Sequence, residues 1–586
     1  MTPGWTVEAS VTGRRWRGPG DEVARMGLAI AQQAGVPELV GRILAQRGVA
    51  ADVAAAYLAP TLRDLMPDPS TLADMDRAAR RLADAVTGHE RIAIFGDYDV
   101  DGGASVALLL DWLGAMGRTA TGYIPDRIDE GYGPNAPAMA ALARDHDLIL
   151  CVDCGTLSHG PVAAAQGADV MVIDHHLPGP TLPDALAVVN PNRIDDTSGL
   201  GHLCAAGVVF LLLVAANRVL RGRGAFAGLQ EPDLLSALDL VAVATVADVA
   251  PLIGLNRAFV RQGLAVLSDR RRPGLAALAD TAGLSAPPTA RDLGFALGPR
   301  INAGGRVGDA DLGMRLLATR DPHEAGALAE KLDHLNKARR EIEAQVLAAA
   351  TTQVEARASA GPVVWATGEG WHPGVVGIVA SRLKERFHRP AVVIGVLDGE
   401  GKGSARSVPG IDLGRAIGAL ARDGLLIKGG GHAMAAGLTV APDGIDRAME
   451  ALARLIEAQG EIRLGPDDLA IDGALMPAAA TPELVQTLEA AGPFGPSNPP
   501  PMIAFTHVQV DYLKPVGNGH CQVRVSAGRG RGLDAIAFGA AEAGLLSFFE
   551  AARTRGGAIH VAGRLEIDDW GGRRRAKLRI EDAAEA

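Results

Sequence analysis

Cysteine is scarce: four residues among 586, too few for a disulfide framework. A reducing, cytoplasmic setting is the resulting expectation. Long apolar runs are missing too. No uninterrupted stretch of about 18 apolar residues occurs, which argues against a membrane span. The opening segment MTPGWTVEASVTGRRW lacks the apolar core of a secretory signal. Positive charge is not in excess either: the net charge is −11 and the pI is near 5.7. That argues against coating nucleic acid through bulk charge, while leaving room for an enzyme with one local basic groove. Part of the acidity could itself be metal ligands.

What is present is an ordinary globular composition, 48% hydrophobic and 21% charged. The length predicts about three to four domains. Residues 1–75 read as an amphipathic helical extension with no evident chemistry. From residue 76 to about 255, helices alternate with β-rich runs, the pattern of a parallel α/β sheet. The strand candidates RIAIF (91–95), DLILCV (147–152) and DVMVI (169–173) are followed by Asp97, Asp153 and Asp174, and a helix is expected from about Ala104. Open α/β sheets place their sites at this C-terminal edge. Residues 256–358 are helical and include a long helix from Asp321, which is either a spacer between lobes or a packed surface helix. A second α/β unit covers 359–460. The segment GPFGPSNPPP then reads as a rigid linker, and 465–586 carries five short strands suggestive of an OB-like β-barrel.

In GDYDVDG (96–102), Asp97, Asp99 and Asp101 alternate, an arrangement that can converge on hard cations. An EF-hand loop also begins this way, but its twelfth position requires Glu and here is Leu108. A solvated acidic turn is the plainer alternative. Asp153, His175, His176 and Asp248 on the same edge weigh against it, because so many groups would repel one another without bound cations. A mostly carboxylate set suits hard cations such as Mn²⁺ or Mg²⁺. The pair Cys151 and Cys154 forms a C-x-x-C, a weak redox or zinc signal inside a strand.

The motifs DYDVD, VDCG, DHH and ADVAPL, in this order, resemble the DHH phosphoesterase superfamily. Relatives that hydrolyse polyphosphate or pyrophosphate usually carry His where Asp97 stands, and in this the chain resembles the RecJ family. The segments YIPDRIDEGYG, GPRINAGGR, EGWHPGVVGIVASRL, GSARSVPGIDL, GGGHAMAAG and PFGPSNPPP are similar to that family as well. Two departures are Gly305, where Ala is common, and Ala405, where Gly is common. The resemblance implies a DHH catalytic domain and a DHHA1 domain joined by the long helix, followed by the OB barrel. It implies two ions, one held by Asp97, Asp99 and Asp153, the other by Asp101, Asp153, His175 and Asp248. Asp174 would orient the histidines and His176 would face the scissile phosphate. Substrate contacts would fall on Arg127, Arg300, Asn302, Arg306, Ser404, Arg406 and His432.

For Arg406 the alternative is a surface salt bridge, and for GGGHAMAAG a glycine-rich helix start packed on a sheet. In the barrel, Tyr512, Lys514, Arg524, Phe538 and the run GGRRRAKLR suit a single-strand groove, or simply keep a strand edge soluble. The implied activity is a 5′-to-3′ exonuclease on single-stranded DNA in repair and recombination, its two lobes enclosing a passage too narrow for duplex. A single-strand-binding protein and a helicase are conceivable partners, with no membrane and a monomeric state. Two alternatives stand beside it: an oligonucleotide or cyclic-dinucleotide phosphodiesterase, and an inactive scaffold in a replication complex.

Overall fold

The computed structural model describes residues 6–126, 130–357, 361–460, 468–528, 532–568 and 574–586. The chain divides into two compact units. One comprises 66–251 and 258–464; the other comprises 1–65, 252–257 and 465–586.

The first unit contains two sheets. In one, five parallel strands run in the order Ala120–Tyr123, Ile92–Gly96, Leu148–Val152, Asp169–Ile173 and Ala187–Val189. Its three central strands are apolar almost throughout, as expected of a parallel sheet covered on both faces. The helix expected from Ala104 begins earlier and spans Val100–Ala115. Asp99 caps it by accepting from the backbone N–H groups of Asp101 and Gly102, so the acidic turn is the first turn of the helix. A Cβ at Gly102 would lie 2.4 Å from the Asp97 carbonyl oxygen, so only glycine lets this turn close. Helix Ala205–Gly222 is long and apolar enough to cross a membrane by composition, yet most of it is buried inside this unit.

The long helix spans Pro322–Ala356, with the Asp321 side chain accepting from His323 N. Near its start Leu328, Ala329 and Leu332 are buried. Toward its end Val346, Ala350 and Val354 share a core with the second sheet and with helix Pro373–Phe387. That sheet runs Lys428–His432, Ala435–Val440, Glu400–Arg406, Ala391–Leu397 and Val364–Glu369, antiparallel except for the last pair. Ser404 and Arg406 lie on a strand, and GGGHAMAAG is a β-hairpin, which removes the alternative reading of it as a helix start. Within it Gly430 pairs with Gly437 across the two strands.

The second unit holds the barrel. Strands Ile503–Val516, His520–Ser526, Leu533–Ala537, Arg575–Glu585 and Ile559–Asp568 are neighbours in that order, and the last pairs back with the first, closing an OB-type barrel. Residues 6–65 fold with it: Trp16 is buried and its indole N–H donates to Asp582 at 2.8 Å. The segment expected to be a rigid linker is packed instead. Asn498 is fully buried and donates to the carbonyls of Ala491 and Pro493, while Arg257 donates to the Gly492 carbonyl. These bonds satisfy its backbone, so the proline-rich composition does not leave it extended.

Candidate metal centre

Register builds the centre. Gly96 pairs with Val152, and Val152 with Ile173, so Asp97, Asp153 and Asp174 emerge level from three adjacent strands. Asp153 adopts left-handed backbone (φ 59°), an uncommon state for a non-glycine residue and one that collects at functional sites. Asp101 is buried, and its two oxygens accept from Ala205 N and Ala206 N at 2.7 and 2.8 Å. The carboxylate thus satisfies the start of the apolar helix and is held rigidly. Asp248 follows the last turn of helix Leu238–Ala247.

His175 Nε2 is the focus of the cluster. It lies 3.3 Å from Asp153 Oδ1, 3.7 Å from Asp101 Oδ2 and 3.8 Å from Asp248 Oδ2. Ligand atoms within 4.8 Å of one another form three overlapping triads: Asp97–Asp99–Asp153, Asp101–His175–Asp248 and Asp153–His175–His176. Asp153 Oδ1 and His175 Nε2 are buried and neither makes a hydrogen bond. Buried polar atoms are rarely left so, and an acceptor pair aimed at a common point fits a cation. Oxygen donors with one or two imidazoles match Mn²⁺ or Mg²⁺.

The charges agree. Burial, then the neighbouring carboxylates, push Asp153 well above the usual range and raise Asp101, though the charge of His175 eases the latter. Burial and the charges of Asp101 and Asp99 push Asp248 up to about 9. Asp174 behaves oppositely. Burial alone would raise it, but hydrogen bonds from His176 and Thr156 outweigh that and hold it well below the carboxylate range. It accepts from His175 N at 2.8 Å, His176 N at 3.2 Å and His176 Nδ1 at 2.8 Å, so it fixes the loop and the His176 ring.

Three residues that sequence reasoning did not single out complete this loop. The Asn190 and Asn192 side chains donate to the carbonyls of His176 and His175. The Tyr132 hydroxyl lies 3.1 Å from His176 Nε2 and donates to the Asp153 carbonyl at 3.4 Å. Their only sequence signal is the N-P-N after the short strand Ala187–Val189 and the tyrosine near the end of YIPDRIDEGYG.

The other expected site residues divide. Arg127 lies outside the described residues. Arg300 is engaged by Asp333 at 2.9 Å and by the Ala296 carbonyl. Asn302 begins the turn that packs on the acidic loop: a Cβ at Gly305 would be 2.7 Å from the Tyr98 carbonyl. Arg306 continues that turn and donates to the Gly374 carbonyl at the start of helix Pro373–Phe387. One turn on, a Cβ at Gly377 would touch Arg406 Nη2 at 3.0 Å and Ser404 Oγ at 3.1 Å. Arg306, Ser404 and Arg406 therefore gather around this helix start. His432 joins their sheet face, because His432 and Arg406 both pair with Ala435. Between them Gly430 and Gly437 lie in register with Ser404, with open space above both. In the barrel, Tyr512 and Phe538 are exposed, Tyr512 pairs with Arg524, and the Arg579 guanidinium lies 5.4 Å from the Phe538 ring. Cys151 and Cys154 are buried free thiols whose pKa values burial pushes up, which leaves no redox or zinc site there.

The chain matches the DHH family, N-terminal domain, over residues 91–245 and the DHHA1 domain over 360–458, which makes it a protein of the DHH–DHHA1 class. The RecJ OB domain matches 471–582. The single-stranded-DNA-specific exonuclease RecJ of Dickeya dadantii (strain 3937) is 40% identical over 565 residues, covering 93% of this chain and 96% of that one. The protein of the same name from Escherichia coli (strain K12) is 38% identical over 519 residues, covering 86% and 89%. The chain belongs to the RecJ family. The crystal structure of RecJ in complex with Mn²⁺ from Thermus thermophilus superposes with a TM-score of 0.79 at 29% identity, covering 97% of this chain and 79% of that one. The corresponding Mg²⁺ complex gives 0.73 at 28% identity, covering 97% and 78%.

Proposed function

We propose that this chain is a single-strand-specific DNA exonuclease that works from the 5′ end and releases mononucleotides in repair and recombination. The observation that carries the reading is the pair of buried, hydrogen-bond-free atoms Asp153 Oδ1 and His175 Nε2 inside the carboxylate cluster. The names of the relatives supply the substrate class.

In this reading Asp97, Asp99 and Asp153 would hold one divalent cation, and Asp101, Asp153, His175 and Asp248 would hold the other. Bound there, Mn²⁺ or Mg²⁺ would activate the nucleophile and neutralise charge on the phosphodiester. The protein's own part is orientation. Asp101 is locked by two backbone N–H groups, and Asp174 fixes the histidine loop. His176 keeps its Nδ1 proton on Asp174. In the metal-free protein burial would lower its pKa, but the Asp174 hydrogen bond and nearby carboxylates raise it to about 9; the Asp174 bond fixes the ring in the orientation that faces the phosphate. Ser404 and Arg406, with Arg306 and His432 beside them, receive the 5′-phosphate; a guanidinium fork matches phosphate oxygens. Arg127, Arg300 and Asn302 complete the substrate contacts.

The catalytic domain is taken as 76–255, the helical connector as 256–358, the DHHA1 domain as 359–460 and the strand-binding barrel as 465–586. Of the N-terminal extension 1–75, residues 6–65 buttress the barrel. The protein acts in the cytoplasm as a monomer, with a single-strand-binding protein and a helicase as partners. The test is digestion of 5′-phosphorylated single strand against blunt duplex of the same sequence. The proposal expects strong preference for the single strand; equal digestion by pure protein would overturn it.

A further inference from the structure

Two unusual backbone features lie at the C-terminal end of helix Leu238–Ala247, and both carry an exposed apolar side chain. Residues Leu293–Leu297 form a π-helical turn, a rare conformation that recurs at functional sites. This turn packs on the end of helix Leu238–Ala247: a Cβ at Gly294 would lie 3.4 Å from Val246 Cγ1, and one at Gly298 would lie 3.2 Å from Ala247 Cβ. Within that turn Phe295 is 81% exposed. The second feature is Val249, immediately after Asp248. It has φ 59° and is 66% exposed. Left-handed backbone is a genuine outlier for a β-branched residue.

A single exposed apolar residue is ordinary and requires no explanation. Here two occur where the backbone is strained or irregular: Val249 directly follows Asp248, and Phe295 lies in the turn packed on Val246 and Ala247. Nothing in the core is served by holding a phenylalanine ring in water. A single strand threaded into this site presents phosphates to the cations and bases to everything else. Bases are its only flat, apolar surfaces, and each has a face that an aromatic ring can stack on.

We propose that Phe295 is a positioning residue: its ring stacks on one nucleobase of the bound strand close to the scissile phosphate, with Val249, next to Asp248 in the chain, offering a second apolar contact to the strand. The π-turn aims the ring, and the stacked base sets the register in which the phosphate meets the acidic cluster. This rests on the exonuclease reading above. It predicts sequence-tolerant binding that still requires a base at one fixed position.

The test uses the full-length protein and 5′-phosphorylated oligonucleotides carrying one abasic residue at successive positions from the 5′ end. Phe295→Ala should raise KM on the order of tenfold, with a smaller fall in kcat. Phe295→Trp should restore KM. In the wild-type protein one abasic position should reproduce the rise, and at that position Phe295→Ala should add nothing further. An unchanged KM in Phe295→Ala, or a full abasic penalty persisting in that variant, would overturn the proposal. So would an equal loss of kcat on intact and abasic strands. Absence of cleavage of any strand by the wild-type protein would instead defeat the exonuclease reading, and this proposal with it.

Discussion

The two sheets of the larger unit display their polar residues in different ways. The parallel sheet gathers them at one edge, where Asp97, Asp153 and Asp174 each follow a strand, and buries them. The mixed sheet spreads them over a face, where Ser404 and Arg406 alternate with buried Ala405 and sit beside an open glycine floor. The edge concentrates like charge that only cations can offset. The face offers donors with room above them. One suits making and breaking bonds; the other suits holding an anionic end. Loss at the edge should therefore stop chemistry, and loss on the face should change which end is accepted.

The largest effect belongs to Asp153→Ala. It should abolish hydrolysis while leaving the fold, as read by circular dichroism; metal-dependent turnover in this variant would break the comparison at its stronger side. Next comes Asp174→Ala, which touches the centre only through the histidine loop. Activity or Mn²⁺ affinity should fall about 10- to 100-fold, the range for residues that orient ligands, and calorimetric titration of Mn²⁺ would show it.

On the face, Arg406→Ala removes a charged hydrogen-bond donor worth about 1.5–3 kcal/mol. KM should rise for strands with a 5′-phosphate but hardly for strands with a 5′-hydroxyl; an equal rise on both would refute the assignment. The smallest effect is thermal. Asp248 is pushed from its ordinary 3.8 up to about 9, so the metal-free folded protein retains a proton that the unfolded chain has lost. Its contribution to stability is present at low pH and is lost as pH rises across that window. Cations remove this penalty, so Mn²⁺ should raise Tm more at pH 8 than at pH 6, measured by thermal shift. Equal increments would contradict the charge assignment.

The same contrast explains what was legible in the sequence. A short apolar run followed by Asp marks a parallel strand and its edge in one reading, so Asp97, Asp153 and Asp174 could be found from local pattern. The five barrel strands were legible for the same reason, because alternation is local. Asp101 could be suspected as a ligand, but its grip on a helix start 104 residues away could not. The face was less accessible. Family resemblance pointed to Ser404 and Arg406, but their common side with His432 depends on the pairing of three strands, which no single segment encodes. The helix start at Val100 was misplaced because Gly102 and Gly103 read as a turn, whereas Asp99 caps and Gly102 permits the close packing. The proline-rich segment 493–501 read as a linker because composition does not reveal that Asn498 satisfies its carbonyls.

The central claim is that the acidic edge cleaves a single strand from the end that the neighbouring face holds. Digestion of 5′-phosphorylated single-stranded DNA, labelled separately at each end and supplied with Mn²⁺ or Mg²⁺, tests it most directly. The account predicts metal-dependent release of labelled mononucleotide at once from the 5′-labelled strand, and progressively shortened fragments from the 3′-labelled one. Early mononucleotide release from the 3′ label, or cleavage that persists with a chelator, would contradict it.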